Sequence, residues 1–138
     1  MSVEKLKILI AEDDKITSMR YDRALDDAQF EKQFVTDGEK VLELYETWKP
    51  DIMVLDIMLP TQSGYSVLKH IRQGGDHSTV IIMATAMAQT GDIKDCLALG
   101  IQGYIVKPID FSSVQQRILN SWSSRRIPVS GENEQRKG

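Results

Sequence analysis

Apolar residues fall along this chain in five short runs, and between the runs they recur at helical spacing. LKILIA (Leu6–Ala11) is the first run, and after it Tyr21, Ala24, Leu25 and Ala28 stand at i, i+3, i+4 and i+7, which predicts an amphipathic helix. Phe30 to Val35 is a weaker, alternating strand. Asp37 is placed to cap the next helix, whose apolar face reads Val41, Leu44, Tyr45 and Trp48 before Pro50 stops it. IMVL (Ile52–Leu55) is the third run, and the turn residues from Pro60 to Gly64 mark a loop. A helix with Val67, Leu68 and Ile71 inward follows and breaks at Gly74-Gly75. VIIMA (Val80–Ala84) is the fourth run; Ile93, Cys96 and Leu97 then mark a helix ended by Gly100. YIV (Tyr104–Val106) is a short fifth strand, and the last helix opens near Asp110 and turns Phe111, Val114, Ile118 and Trp122 inward.

The first, third and fourth strands are apolar without alternation, as strands of a parallel sheet covered on both faces should be. Strand and helix alternating five times imply right-handed crossovers and a doubly wound α/β fold, a five-stranded parallel sheet between two helical layers. In such a sheet the ligand crevice lies at the carboxyl ends of the strands. Those ends hold Glu12-Asp13-Asp14 after the first strand, Asp56 after the third, Thr85 after the fourth and Lys107-Pro108 after the fifth.

A length of 138 residues fits one domain, which needs no disulfide or structural metal to fold. The single cysteine, Cys96, can form neither an internal disulfide nor a cysteine metal cage, and a reduced, cytoplasmic setting is expected. No apolar run is long enough to span a bilayer. The net charge is −3, and the segment from Arg125 to Gly138 contributes +2, so the body before it is acidic. Such a body lacks the basic stripe that direct nucleic-acid binding needs. The domain is expected over residues 1–124, with 125–138 a polar flexible tail or the start of a linker.

Carboxylates crowded at one spot repel each other unless a cation neutralises them. Oxygen ligands in small number suit Mg²⁺, with Mn²⁺ possible. A carboxylate beside such a metal can attack phosphorus, and the charge spread over the transferring group calls for a fixed cation and a neutral donor. Lys107 and Thr85 supply these, so the set reads as phosphoryl transfer to a carboxylate.

The stretches ILIAEDD, DIMVLDIMLPTQSG, IIMATA and GYIVKP, in this order from about Leu6 to Trp122, make the chain similar to the response-regulator receiver family of two-component signalling. The resemblance implies a flavodoxin-like fold and phosphorylation on Asp56. It implies Mg²⁺ held by Asp13, Asp56 and the backbone carbonyl of Met58, with Glu12 acting through water. It further implies Lys107 pairing with the phosphoryl group, Thr85 hydrogen-bonding it, Tyr104 as a switch aromatic and a cis Lys107-Pro108 bond. The donor would be a phosphohistidine on a sensor histidine kinase or phosphotransfer protein, and the output a downstream protein or a further domain. The chain would be a regulatory phosphoacceptor rather than an enzyme acting on others. Two departures stand out: Glu12 replaces the aspartate of many members, and Ile109 stands where phenylalanine often follows Lys-Pro.

Plainer roles are expected for other residues. Asp14 reads as a helix cap, Cys96 as core, and His70 and His77 as solvated. Met58, Met83 and Met87 read as loop and core filling, and Trp48 and Trp122 as packing the ends of their helices. The competing function is an Mg²⁺-dependent phosphatase with an aspartate nucleophile. That chemistry wants a carboxylate two residues after the nucleophile, where this chain has Met58. A nucleotide binder would want a glycine-rich loop after the first strand, and none follows it. The approach GIQGY to the fifth strand puts Gln102 and Gly103 where an ionic dimer face would carry acids. The face of the fourth helix, fifth strand and fifth helix is therefore expected to bind another protein rather than form that homodimer.

Overall fold

The computed structural model describes residues 4–86 and 90–125, without the side chains of 90–92. Ten elements alternate: β1 (Leu6–Ala11), α1 (Lys15–Ala24), β2 (Phe30–Val35), α2 (Gly38–Trp48), β3 (Ile52–Asp56), α3 (Gly64–Gln73), β4 (Val80–Thr85), α4 (Thr90–Leu99), β5 (Gly103–Val106) and α5 (Val114–Arg125). The five strands are parallel in the order β2-β1-β3-β4-β5, so the chain winds outward both ways from β1. α5 runs to Arg125, one residue past the expected boundary, and the remainder of the expected tail lies outside the described residues, as does Met87.

Each central strand buries both faces. Leu9, Met53, Leu55, Ile81 and Met83 pack with Val41, Val67, Leu68, Ile71 and Cys96 of α2, α3 and α4. Ile8, Ile10, Ile52, Val54, Val80 and Ile82 pack on the other side with Tyr21, Val114 and Ile118 of α1 and α5. Two-sided burial is the reason β1, β3 and β4 do not alternate, while β2, at one edge, keeps only its ends buried.

Four expected positions differ. Ala28 stands exposed in a turn, because Leu25 leaves α1 in extended conformation and Asp26 then accepts the N–H of Ala28. Leu97 is exposed: α4 packs against α3 with Cys96 inward, and Leu97 falls on the outer flank. α5 begins at Val114 rather than near Asp110, whose carboxylate accepts from the Ser112 N–H and the Ser112 and Ser113 hydroxyls in a preceding turn. Met58 fills nothing and is 75% exposed, since its neighbours Ile57 and Leu59 occupy the inward positions of the loop.

The loop after β3 is clamped to the start of α2. Gly38 N–H donates to Pro60 O (3.0 Å), and Glu39 N–H to the hydroxyl of Thr61 (3.0 Å), which stands at φ 65°. Gly64 N–H closes the loop on Ile57 O (2.9 Å). A side chain at Gly64 would run into the carbonyl of Asp56, and one at Gly38 into that of Gln62. Both glycines therefore let backbones meet at the site's own loop.

At the opposite end of the sheet Arg72, 4% exposed, donates to the carbonyls of Gly100 (2.8 Å), Asp76 (2.9 Å) and Thr79 (2.8 Å) and to Gln102 Oε1 (3.3 Å). Asp76 accepts from the hydroxyls of Tyr45 and Thr79 (2.6 Å each) and from backbone N–H groups of Ser78 and Thr79. Burial alone would push the Asp76 carboxyl up; the bonds from Thr79, Tyr45 and the backbone outweigh it and hold the group well below the usual carboxylate range. A carboxylate with a depressed folded pKa adds stability above its unfolded value of about 3.9, which is lost as pH falls through the folded value. Below about pH 4 the native chain should therefore lose stability more steeply than Asp76→Asn. Urea titrations from neutral pH to about pH 2 check this, and parallel curves for the two proteins would refute it.

Candidate functional site

Strand register brings the polar tips together. Ala11 pairs with Leu55, Asp56 with Ala84 and Thr85 with Val106, so Glu12, Asp56, Thr85 and Lys107 follow or end strands at one level. The backbone locks that level: Glu12 N–H donates to Val35 O (3.0 Å), Ile57 N–H to Ala84 O (3.0 Å), and Lys107 N–H to Thr85 O (2.8 Å). Glu12, Asp56 and Thr85 are buried, whereas Asp13 is exposed at the rim.

Lys107 is the centre of the charge arrangement. Its ammonium lies 2.7 Å from Asp56 Oδ2 and 3.0 Å from Glu12 Oε1. The other Asp56 oxygen accepts the Met58 N–H (2.9 Å), and the other Glu12 oxygen accepts the Asp14 N–H (3.1 Å). Burial would push the Lys107 ammonium down, but its bonds to Asp56 and Glu12 prevail and raise it. Burial pushes the Glu12 carboxyl up, aided by the charge of Asp56 and opposed by Lys107 and the Asp14 N–H. Two buried carboxylates thus share one ammonium, and the pocket keeps an excess of negative charge.

One carboxylate oxygen each from Glu12, Asp13 and Asp56 lies within 4.8 Å of the others. Hard oxygen donors, crowded and incompletely neutralised, fit a small divalent cation. Asp14 stands apart as the N-cap of α1, its carboxylate accepting the Thr17 N–H (2.9 Å). The Lys107-Pro108 peptide bond is cis. Tyr104 lies on β5, 40% exposed, and Arg117 of α5 donates to its carbonyl (3.0 Å). A groove of about 310 Å³ between β5 and α5, lined by Ile82, Gly103, Ile105, Ile118 and Ser121 among others, lies apart from the carboxylates.

Sequence reasoning did not single out Arg72, which anchors the loops at the far end. It follows Ile71 at the edge of the apolar stripe of α3, where a long cation ordinarily reaches solvent. Nothing in the spacing showed that four acceptors would enclose it.

The family model for the response regulator receiver domain matches residues 8–119. The transcriptional activator protein IrlR of Burkholderia pseudomallei is 38% identical over 113 residues, which make up 82% of this chain and 48% of that protein. The chain spans about half the length of the curated relatives it matches. The receiver domain of the Francisella response regulator 1452 superposes with a TM-score of 0.80 at 25% identity, covering 88% of this chain and 100% of the other. The CheX-CheY-BeF3-Mg+2 complex from Borrelia burgdorferi contains a chain matched with a TM-score of 0.78 at 29% identity, over 85% of this chain and 89% of its own. With its parallel five-stranded sheet and the acidic residues and lysine at the strand tips, the chain belongs to the response regulator receiver domain family.

Proposed function

We propose that this chain is a phosphoryl-accepting switch in which Asp56 takes the group from a phosphohistidine of a sensor histidine kinase or a phosphotransfer protein. One observation carries the reading: a buried aspartate whose two oxygens are held by an ammonium at 2.7 Å and a backbone N–H at 2.9 Å, with two further carboxylates beside it. An oxygen of Asp56 attacks phosphorus, the P–N bond to the imidazole breaks, and the imidazole nitrogen takes a proton as it leaves. Lys107 already touches Asp56 and meets the negative charge that the group brings. Thr85, at the neighbouring strand end, is the hydroxyl donor toward it.

Mg²⁺, or Mn²⁺, would be held by Asp13, Asp56 and the carbonyl of Met58, with Glu12 acting through water. When bound, the cation supplies charge neutralisation at the phosphoryl oxygens. Asp56 itself keeps its orientation through the Met58 N–H, and the clamped loop keeps Met58 beside it. The reading sets the chain in the cytoplasm, and no helix among the described residues is long and apolar enough to cross a membrane. Relatives about twice as long act in transcription, so an output domain or a separate downstream protein receives the signal.

The output face is α4, β5 and α5. Tyr104 stands outward there, ready to turn in when Thr85 is drawn to the phosphoryl group. Gln102, where an ionic dimer would want an acid, turns its amide oxygen inward to the Ile81 N–H (2.8 Å). That supports a face for another protein.

Three outcomes follow. Asp56→Asn should fold yet lose the single hydroxylamine-labile adduct formed with acetyl phosphate and Mg²⁺; mass spectrometry reads this, and an unchanged adduct at an unchanged rate rejects Asp56. Asp13→Asn should weaken Mg²⁺ binding by at least the roughly tenfold seen on losing an outer-shell partner, measured by calorimetry. The same change relieves repulsion, so its melting midpoint without metal should equal or exceed that of the native chain, and a clearly lower one contradicts a crowded acidic pocket. Sedimentation with beryllofluoride should show no salt-sensitive dimer; one that forms only with this phosphoryl mimic and is abolished by changes on α4 or α5 defeats the protein-binding face.

A further inference from the structure

Tyr21 is the buried polar group that the reading above leaves unused. It is 1% exposed on the inner face of α1, and among the described residues its hydroxyl has no hydrogen-bond partner. A phenyl ring or a leucine would fill the same space without burying an unpaired oxygen, so packing does not account for the hydroxyl. Helix side chains lean toward the helix N-terminus, which here means toward the carboxyl end of β1 and Glu12. Ser18, three residues earlier and on the same face, already reaches that segment, its hydroxyl donating to Glu12 O at 3.5 Å. On the far side the Tyr21 ring meets Phe111 edge-on, with centroids 5.3 Å apart at 82°, and Phe111 belongs to the segment between β5 and α5 that begins with Lys107. The Tyr21 ring thus packs on the segment that carries Lys107, from the helix face that Ser18 ties to Glu12. Burial first, and then the charges of Glu12 and Asp56, push the pKa of the hydroxyl up, so it remains a proton-bearing donor at every physiological pH.

We propose that Tyr21 is a positioning residue that supports Glu12 when Lys107 turns to the phosphoryl group, donating to the Glu12 carboxylate directly or through one water. This rests on the reading of Asp56 as phosphoacceptor. Glu12 now depends on Lys107 and the Asp14 N–H, and it is 2% exposed. As the ammonium shifts toward new phosphoryl oxygens, Glu12 would be left with a buried, unpaired oxygen. The Tyr21 hydroxyl is a neutral donor nearby that adds no charge to a site whose charge is being rebalanced.

Tyr21→Phe separates this role from packing, since it keeps the ring and its contact with Phe111. Without metal, the variant should melt at the same temperature as the native chain or higher, because an unpaired buried hydroxyl has been removed. With Mg²⁺ and beryllofluoride, calorimetry should show the mimic bound about three- to tenfold more weakly, the loss of one hydrogen bond made only in that state. Equal affinity for the mimic in both proteins overturns the role of Tyr21. So does a lower midpoint of the metal-free variant, which would mean that the hydroxyl is already bonded at rest. If the native chain binds no mimic, or Asp56→Asn binds it as well, the phosphoacceptor reading fails and takes this inference with it. Native binding that is lost in Asp56→Asn and unchanged in Tyr21→Phe sinks Tyr21 alone.

Discussion

The ammonium of Lys107 between Glu12 and Asp56 is the contact on which the organisation of this molecule turns. Two carboxylates at 2% and 5% exposure repel each other across a poorly solvated pocket, and without a cation that repulsion would stand unrelieved. Lys107 prevents that at the cost of its own hydration, and it ties the tips of β1, β3 and β5 across the sheet. One ammonium does not balance two buried carboxylates and the exposed Asp13 beside them, and this leaves room for a divalent cation. On the proposed reading, a phosphoryl group on Asp56 would draw the Lys107 ammonium toward it and so couple the site to β5.

Such a response needs a stiff frame. Both faces of β1, β3 and β4 are sealed by apolar packing, so the tips cannot shift separately. The segment that follows Asp56 is held from two sides, by its own closure at Gly64 and by the start of α2 at Gly38 and Glu39. Thr61 adopts a left-handed backbone there, and its hydroxyl accepts the Glu39 N–H that would otherwise lack a partner at the start of the helix.

The opposite end of the sheet is fastened by a buried cation. Arg72 gathers the ends of α3 and α4 and the approach to β5 through hydrogen bonds to carbonyls rather than carboxylates. Gln102 joins this set and is drawn inward by the Ile81 N–H, while Tyr104 and Val106 stand exposed on β5. One end of the strands is thus tied by ion pairs and the other by hydrogen bonds from Arg72 to carbonyls.

Local pattern was enough for the strands and for the acidic and basic residues at their tips. An uninterrupted apolar run such as Ile52–Leu55 has to be buried on both faces, and the carboxyl ends of parallel strands have to converge; Glu12, Asp56, Thr85 and Lys107 were legible for that reason. Helix ends were less so. Ala28 fits the period of α1 but falls beyond Leu25, where backbone conformation and the Asp26 turn decide, and Leu97 fits a helical face that has no layer to cover it. Met58 was placed as filling because spacing does not say which residues of a loop face inward. The pairing of Lys107 with both Glu12 and Asp56, the enclosure of Arg72 and the Tyr21 hydroxyl that finds no partner among the described residues belong to the tertiary structure alone. Each joins residues far apart in the chain, and only strand register and the packing of helices on the sheet set which polar atoms come within hydrogen-bonding distance and which are left without a partner.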